Sequence, residues 1–281
     1  MINYQPIIES IIYRDVHIDI LRLDLIHPEI SGNKWFKLKY NLLEAKKERK
    51  DAVLTFGGAF SNHIAATAAA CKTESFKSIG IIRGEASSNN NSTLLLAQQN
   101  GMELLFVNRT EYAQKNDVDY LQRLRYMYPN AYIVPEGGDN ALGQKGCEEI
   151  IENIGSSYIQ VFCASGTGTT YKGIAKSLLP HQKLTTINVL KFDATTTETN
   201  VAILNNYHFG GYAKHTIELL HFKYWFETTY HIPLDFVYTA KLFYAVFDLI
   251  NDGMIKNDDN LLVIHSGGLQ GNLGYKERYK L

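Results

Sequence analysis

Lys34 is the first residue whose setting suggests chemistry. It lies in the stretch 31–40, SGNKWFKLKY, directly after a Ser-Gly-Asn turn signal and directly before Trp35. Most lysines are surface charges, but a lysine in a partly desolvated pocket has a lowered pKa and becomes a nucleophile toward carbonyl groups. Lys34 is therefore a candidate nucleophile, whereas Lys37 and Lys39 lack this local setting and are predicted to lie on a solvated helix face.

A glycine-rich loop follows the apolar run 158–164. The loop reads SGTGTT over 165–170, and a segment of helical period begins after it. Glycine N–H groups, threonine hydroxyls and the positive end of a helix dipole together suit one phosphate group. Because the loop matches neither the dinucleotide fingerprint nor a Walker A loop, it predicts a small phosphorylated ligand. The alternative is an ordinary glycine turn with a threonine cap.

A second anion site is predicted after the apolar run 52–56. The chain continues as GGAFSNH over 57–63, in which Ser61 is placed as the N-cap of a helix. The two glycines allow close backbone approach, and Asn62 and His63 add polar groups. We expect this helix N-terminus to face an anion such as an amino acid carboxylate, the alternative being a purely structural cap.

The last apolar run ends in HSGGLQGNLGY, 265–275. Gly267 and Gly268 are expected where a flat ring lies against the backbone, and Ser266 offers a hydroxyl to the ring edge. A tight turn is the alternative.

The elements that must position these groups alternate along the chain. The predicted strands are 52–56, 78–82, 103–107, 131–135, 158–164, 184–190 and 260–266, and the predicted helices are 33–48, 62–72, 91–100, 141–154 and 169–179. Apolar strands separated by helices indicate parallel sheets covered on both faces. We predict a doubly wound α/β fold with ligands at the carboxyl ends of the strands. The alternating run 16–25 is predicted to be an exposed or edge strand.

Composition excludes several functions. The 281 residues are 45% hydrophobic and 20% charged, and Lys+Arg at 28 against Asp+Glu at 29 leaves no basic excess for nucleic acid or an anionic membrane. No apolar run approaches the roughly 20 residues of a membrane span and no basic leader is seen, so we expect a cytoplasmic protein. Cys71, Cys147 and Cys163 lack ligand spacing and are predicted to be buried apolar residues, with no metal.

Six ordered motifs resemble the family of D-cysteine desulfhydrase and 1-aminocyclopropane-1-carboxylate (ACC) deaminase, pyridoxal phosphate enzymes of the tryptophan synthase β-like fold. The motifs are SGNKWFKLKY, GGAFSNH, EGGDNALGQKG (136–146), SGTGTT, LDFVYTAKLFYAV (234–246) and IHSGGLQGNLGY (264–275). The resemblance implies a homodimer whose chain forms two open, twisted, mostly parallel sheets flanked by helices. It also implies a larger cofactor domain, 1–45 and 138–281, and a smaller domain, 46–137.

Carried over position by position, the resemblance implies a cofactor site. Lys34 bonds covalently to pyridoxal phosphate in this assignment, and Asn62 binds the 3-hydroxyl of its ring. Thr239 and Ser266 lie at the ring. The residues implied to hold the phosphate are Ser165, Gly166, Thr167, Gly168 and Thr169.

The resemblance also implies a substrate site. Ser61, Asn62 and His63 receive the carboxylate of a small amino acid in this assignment, and Ser61 is also a candidate catalytic hydroxyl. Tyr238 and Tyr212 match active-site tyrosines of the family.

Two positions favour one reaction. The deaminase branch has glutamate and leucine where this chain has Thr239 and Ser266. A carboxylate beside the pyridine nitrogen favours a protonated ring and a strong electron sink, which opening a cyclopropane needs and losing a good β-leaving group does not. We therefore expect β-elimination like that of D-cysteine desulfhydrase, in which the freed Lys34 amine removes the Cα proton and a 2-oxo acid and ammonia are formed.

Two other functions remain open. The first is ACC deamination to 2-oxobutanoate and ammonia. The second is cofactor binding without catalysis, which the joint presence of Lys34, Ser61, Asn62 and Tyr238 opposes. A nucleotide-dependent oxidoreductase is excluded because no GxGxxG follows the first strand and no acidic residue is placed for a ribose.

Overall fold

The computed structural model describes residues 2–30, 32–85, 91–257 and 259–281. Ser31, which opens the predicted turn before Lys34, lies outside the described residues. The chain divides into two compact units. Unit 1 contains Lys34–Gly146 and Gln270–Leu281, and unit 2 contains Asn3–Asn33 and Cys147–Leu269. The sequence-derived domain bounds, 1–45 with 138–281 and 46–137, stay a prediction.

Helices and strands alternate through most of the chain. In order they are β1 (Ile8–Tyr13), β2 (Val16–Arg22), α1 (Asn33–Lys47), β3 (Ala52–Gly58), α2 (Asn62–Thr73), β4 (Lys77–Arg83), α3 (Ser92–Gln99), β5 (Met102–Val107), α4 (Arg109–Ala113), α5 (Val118–Met127), β6 (Ala131–Val134), α6 (Ala141–Glu148), β7 (Gln160–Ser165), α7 (Thr169–Ser177), β8 (Lys183–Asn188), β9 (Val201–Leu204), α8 (Ile217–Tyr230), α9 (Thr239–Asn251), β10 (Leu261–His265) and α10 (Gly271–Tyr279).

Unit 1 is built on a four-stranded sheet in the order β5-β4-β3-β6. All its strand pairs are parallel, and β3 is buried along its length up to Gly57. Ile79 and Ile81 pack with α4 and α5, whereas Ile82 packs with α2 and α3. Because successive side chains of a strand point to opposite faces, both faces of the sheet are covered, as the uninterrupted apolar runs predict.

Unit 2 is built on a six-stranded sheet in the order β1-β2-β10-β7-β8-β9. Only β1 is antiparallel to its neighbour. The aromatic rings of Phe226 on α8 and of Phe243 and Phe247 on α9 form part of its core, with centroids 4.8 and 5.6 Å from the Phe226 ring. The carboxyl ends of the adjacent strands β7 and β10 meet at one edge, where the loops 165–169 and 266–268 begin.

The predicted α/β class with two mostly parallel sheets is confirmed, and two local predictions are wrong. The run 16–25 is not an edge strand, because β2 pairs with β1 on one side and β10 on the other. Residues 8–13 form the outer strand that the sequence reasoning missed. The helix predicted over 141–154 ends at Glu148, and the chain continues in tighter i to i−3 turns.

Gly146 illustrates how closely α6 packs on α1 within unit 1. A Cβ atom at this position would lie 1.8 Å from the carbonyl oxygen of Phe36, and that backbone atom cannot move aside cheaply. The EGGDNALGQKG motif therefore has a packing role. Its glycine at 146 allows two helix backbones to touch.

We expect Gly146→Ala to lower the free energy of unfolding by about 1–3 kcal/mol, as overpacking does, despite the better helix propensity of alanine. Gly155→Ala is the matched control, because a Cβ there lies 3.9 Å from its nearest neighbour. Urea unfolding of both variants is the measurement. Equal stability of the two variants would contradict the close helix contact.

Candidate active site

The loop after β7 has the geometry of a phosphate cup in unit 2. Gly168 occupies the N-cap position of α7 with φ +99°, a backbone conformation that favours glycine. The hydroxyls of Thr167 and Thr169 lie 3.1 Å apart. The first N–H groups of a helix have no acceptor within the helix and carry the positive end of its dipole. The loop therefore has groups that suit a phosphate, and phosphate binding here stays a prediction.

Asn33 connects this cup to the loop after β10. Its Nδ2 donates to Thr170 Oγ1 at 2.8 Å, and its backbone N donates to Ser266 O at 3.1 Å. Gly32 has φ +73°, and a Cβ on it would lie 1.9 Å from the same Ser266 oxygen. A larger residue cannot occupy this turn. Lys34 follows Asn33 directly in the chain, so the backbone leading into Lys34 is fixed on its N-terminal side.

A chain of buried charges fixes the loop after β10. Asp24 Oδ1 lies 3.0 Å from His265 Nδ1, Arg22 donates to both Asp24 oxygens at 2.9 and 2.7 Å, and His265 Nε2 lies 2.7 Å from Pro233 O. Each ring nitrogen of His265 thus lies beside an oxygen, and the backbone N of Gly267 in the loop also lies 3.3 Å from Nδ1. Burial acts to raise the pKa of Asp24, but hydrogen bonds from His265 and Arg22 and their charges outweigh it and hold that pKa well below its usual range.

Tyr238 and Tyr212 lie together in unit 2. Their rings meet edge to face with centroids 6.2 Å apart, and a Cβ on Gly166 would come within 3.2 Å of the Tyr238 hydroxyl. The glycine at 166 therefore leaves room for Tyr238 beside the phosphate cup. Tyr212 is half exposed, so its ring has an open side.

Lys241 holds the loop that precedes Tyr212. This fully buried lysine on α9 donates from Nζ to His208 O at 2.8 Å and to Gly211 O at 2.7 Å. Burial lowers the pKa of Lys241 to about 8, and the charge of Asp235 offsets part of that effect. Sequence reasoning missed this residue, because its spacing from Tyr238 resembles that of any helical core position.

Thr239 is engaged with Asp235. Its hydroxyl accepts from Asp235 N at 2.7 Å and donates to Asp235 Oδ1 at 2.8 Å, and both residues are buried. The Asp235 carboxylate also accepts from the backbone N–H groups of Val237, Tyr238 and Thr239 at 2.7–3.0 Å. It holds the turn that leads into α9. An aspartate in such a turn is a local signal that the sequence reasoning did not use.

The N-terminus of α2, where the sequence predicts a carboxylate site, lies in unit 1. Ser61 is the N-cap, and its Oγ accepts from Ile64 N at 3.4 Å, so its own proton remains for another acceptor. A Cβ on Gly57 would lie 2.8 Å from Ser61 Oγ, which accounts for that glycine. Asn62 is the first residue of α2. Its Oδ1 lies 2.8 Å from the position that a Cβ atom on Gly271 would occupy.

Lys37 corrects one prediction from the sequence. It is 6% exposed and its Cβ lies 2.9 Å from where a Cβ of Gly138 would be, so the predicted solvated-face position is wrong. The prediction failed because the helical period of the sequence around Lys37 contains no information about the distant turn at Gly138, which covers this side of α1. Lys34 is half buried one turn away. Burial, then the charges of Lys34 and Lys37, lower the pKa of His63 to about 3.

The predicted site residues are divided between the two units. The set in unit 1 is Lys34, Ser61, Asn62 and His63, and the set in unit 2 is Ser165, Gly166, Thr167, Gly168, Thr169, Tyr212, Tyr238, Thr239 and Ser266. Cys71, Cys147 and Cys163 are buried and unbridged, as predicted. Across the described residues no His, Cys, Asp and Glu side chains cluster as metal ligands, and no helix among them has the length and apolarity to cross a bilayer.

Three comparisons relate this chain to known proteins. The sequence model of the family described as pyridoxal-phosphate dependent enzyme matches residues 17–199. A Pyrococcus furiosus protein provisionally named 1-aminocyclopropane-1-carboxylate deaminase is 28% identical over 99% of this chain and 92% of its own length. The D-cysteine desulfhydrase of Klebsiella pneumoniae is 25% identical over 98% of this chain and 93% of its own.

A solved structure described as an ACC deaminase homologue superposes with a TM-score of 0.85 at 25% identity, covering 99% of this chain and 93% of the other. The predicted fold is thereby confirmed over nearly the whole chain.

Asp24→Asn tests the charge chain beneath the loop after β10. Breaking one partner of a buried ion pair costs about 3–5 kcal/mol, and we expect such a loss at pH 7 in urea unfolding. Because the folded-state pKa of Asp24 is lowered, its stabilisation is present above the unfolded-state pKa of about 4 and declines as pH falls toward the folded-state pKa. The wild-type advantage should therefore shrink below about pH 4.

The exposed Asp193 provides the control for that experiment. Asp193→Asn should change stability by no more than about 0.5 kcal/mol at either pH. A deficit of Asp24→Asn that stays constant from pH 7 to pH 3 would contradict the buried charge chain.

Proposed function

Because the chain belongs to the family of pyridoxal-phosphate-dependent enzymes, we propose that it catalyses β-elimination from a small amino acid. Water is consumed, and the products are a 2-oxo acid, ammonia and the protonated β-substituent, as expected of a D-cysteine desulfhydrase. One observation carries the proposal. Asn33, the residue before Lys34, is hydrogen-bonded to both Thr170, beside the phosphate cup, and Ser266.

Each unit has residues whose chemistry suits one end of the cofactor. In this proposal Lys34 bonds to the aldehyde carbon, and Ser165 to Thr169 hold the phosphate through the N-terminus of α7. Gly166 and Gly168 support that role, because side chains there would crowd Tyr238 and Tyr171. Pyridoxal phosphate, when bound, supplies an aldehyde that takes up amines and a ring that draws electrons from the α-carbon of an amino acid.

The chain's own residues then bind the substrate and move protons. The N-terminus of α2 and the Ser61 hydroxyl receive the substrate carboxylate, since Ser61 Oγ uses only a lone pair in capping. When it is not bonded to the cofactor, the amine of Lys34 would take the proton from the substrate α-carbon. Asn62 would bind the 3-hydroxyl of the cofactor ring. Tyr212 and Tyr238, whose rings meet edge to face, would be the active-site tyrosines.

Thr239 and Ser266 support elimination over ring opening. Neither is a carboxylate, and a ring nitrogen facing neutral hydroxyls forms a weaker electron sink than one facing a glutamate. A thiolate is a good leaving group, so its bond to the β-carbon can break with the weaker electron sink. Breaking a carbon–carbon bond of a cyclopropane requires the stronger one. Proximity of these two side chains to the ring is part of the proposal.

Asp235 favours a second candidate, ACC deamination to 2-oxobutanoate and ammonia. The Thr239 hydroxyl gives its proton to this buried carboxylate, so Thr239 can only accept a hydrogen bond from a further partner. A cofactor ring nitrogen that faces Thr239 would therefore have to be the hydrogen-bond donor. A ring nitrogen that carries a proton makes the ring a stronger electron sink. The relative from Pyrococcus furiosus carries the deaminase name.

A homodimer, which the resemblance implies, and a cytoplasmic location, which the sequence analysis expects, belong to the same proposal. Sedimentation equilibrium at two protein concentrations tests the dimer.

Parallel assays separate the two reactions. We expect purified protein with its cofactor to release pyruvate and sulfide in equal amounts from D- or L-cysteine, and faster than it releases 2-oxobutanoate from ACC. Lys34→Ala should lower turnover about 10²–10⁴-fold, the usual effect of losing a general base. Lys256→Ala, at an exposed lysine, is the matched control and should retain activity.

The alternatives give distinct results. Release of 2-oxobutanoate without pyruvate would replace elimination by the second candidate. Release of neither product by protein with bound cofactor would contradict both enzymatic functions.

A further inference from the structure

His63 is locked in one tautomer by a short hydrogen-bond chain. It is 2% exposed in the first turn of α2, and its Nε2 lies 2.9 Å from Thr55 Oγ1. Thr55 Oγ1 donates to the backbone carbonyl of Val134 at 2.8 Å. A hydroxyl has one proton, and a carbonyl can only accept. Because Thr55 gives its proton to Val134, it must accept one from His63, whose Nε2 therefore carries hydrogen.

The other ring nitrogen is consequently a lone pair. Burial and the charges of Lys34 and Lys37 lower the pKa of His63 to about 3, so the ring is neutral near pH 7 and its Nδ1 has no proton. Within the part of the chain that the structure describes, this buried Nδ1 has no hydrogen-bond partner. Leaving a buried acceptor unsatisfied costs about 1–3 kcal/mol, which a donor entering the site would recover.

A lone pair cannot bind a carboxylate, so the carboxylate-binding role that the sequence assigns to His63 conflicts with this tautomer. The charges that act on the ring are those of the Lys34 and Lys37 amines. We propose that His63 Nδ1 accepts a hydrogen bond from a primary amine held in the site, either that of Lys34 or that of the amino acid substrate. The carboxylate is left to Ser61 and the N-terminus of α2.

This role makes His63 a positioning residue. An amine that donates one hydrogen to a fixed acceptor has a restricted orientation, so its own lone pair or its bond to carbon points in a defined direction. Thr55 and Val134 hold the acceptor on the sheet of unit 1, and the neutral ring adds no charge that would compete for the substrate carboxylate. The substrate part of the inference rests on the proposed function, whereas the tautomer does not.

Nitrogen NMR of the histidine rings is the direct test. Protein with ¹⁵N-labelled histidine is examined with and without cofactor from pH 5 to 9, and His63→Gln identifies the His63 signals. We expect a protonated Nε2, an unprotonated Nδ1 and no titration over this range. A protonated Nδ1, or a ring that titrates between pH 5 and 9, would overturn the proposal whether or not the protein eliminates sulfide from cysteine.

Two further arms identify the amine. If Lys34 is the donor, the Nδ1 signal of Lys34→Met protein without cofactor differs from that of wild type, and Lys37→Met serves as the control. If the substrate is the donor, glycine moves the Nδ1 signal of the cofactor-loaded protein and propionate, which has the carboxylate alone, does not. A signal that responds to neither Lys34→Met nor glycine contradicts the amine contact, and one that responds to propionate restores the carboxylate role.

Binding measurements on cofactor-loaded protein give an independent readout. His63→Leu should weaken glycine binding about tenfold, the effect of losing a hydrogen bond to a charged donor, and leave propionate binding unchanged. His63→Asn, whose amide oxygen can also accept, should recover part of the glycine affinity. Equal weakening of glycine and propionate would overturn the proposal.

Discussion

The two hydrogen bonds of Asn33 are the constraint on which the functional account depends. They tie the turn before Lys34 to Thr170 on α7 and to the carbonyl of Ser266 after β10. Gly32 allows the backbone approach that the second bond requires. A lysine side chain on a mobile backbone could reach many places, whereas one on a fixed backbone samples a small volume. The entropy cost of positioning its amine is then met during folding and not in each reaction cycle.

In unit 2, buried charged side chains hold the backbone near the edge of the sheet where the loops 165–169 and 266–268 begin. Lys241 binds two carbonyls ahead of Tyr212, Asp235 binds three N–H groups at the start of α9, and His265 joins Asp24 to the carbonyl of Pro233. Each charge costs free energy to bury and is offset by hydrogen bonds from groups that would otherwise be unsatisfied. Such contacts are directional, so they define loop positions that apolar packing alone leaves loose.

Sequence reasoning was successful where one residue type has one physical explanation. Glycines at a strand end, a serine before an alanine-rich helix and uninterrupted apolar runs each predicted the local structure that is found. It failed where burial depends on a distant segment: Lys37 is covered by the turn at Gly138, and β2 gains a neighbour from residues 8–13. The tautomer of His63 depends on Thr55 and on a carbonyl of Val134, 71 positions further along the sequence, and no local pattern contains that information.

The most direct test of the central claim, that Lys34 is the covalent attachment point of the cofactor, is borohydride reduction of the cofactor-loaded protein followed by peptide mass spectrometry. The account predicts that the peptide containing Lys34 alone gains the mass of the reduced cofactor, that Lys34→Ala protein gains none, and that Lys37→Met protein is labelled as wild type is. Label on Lys37, on Lys241 or on any lysine other than Lys34 would contradict it.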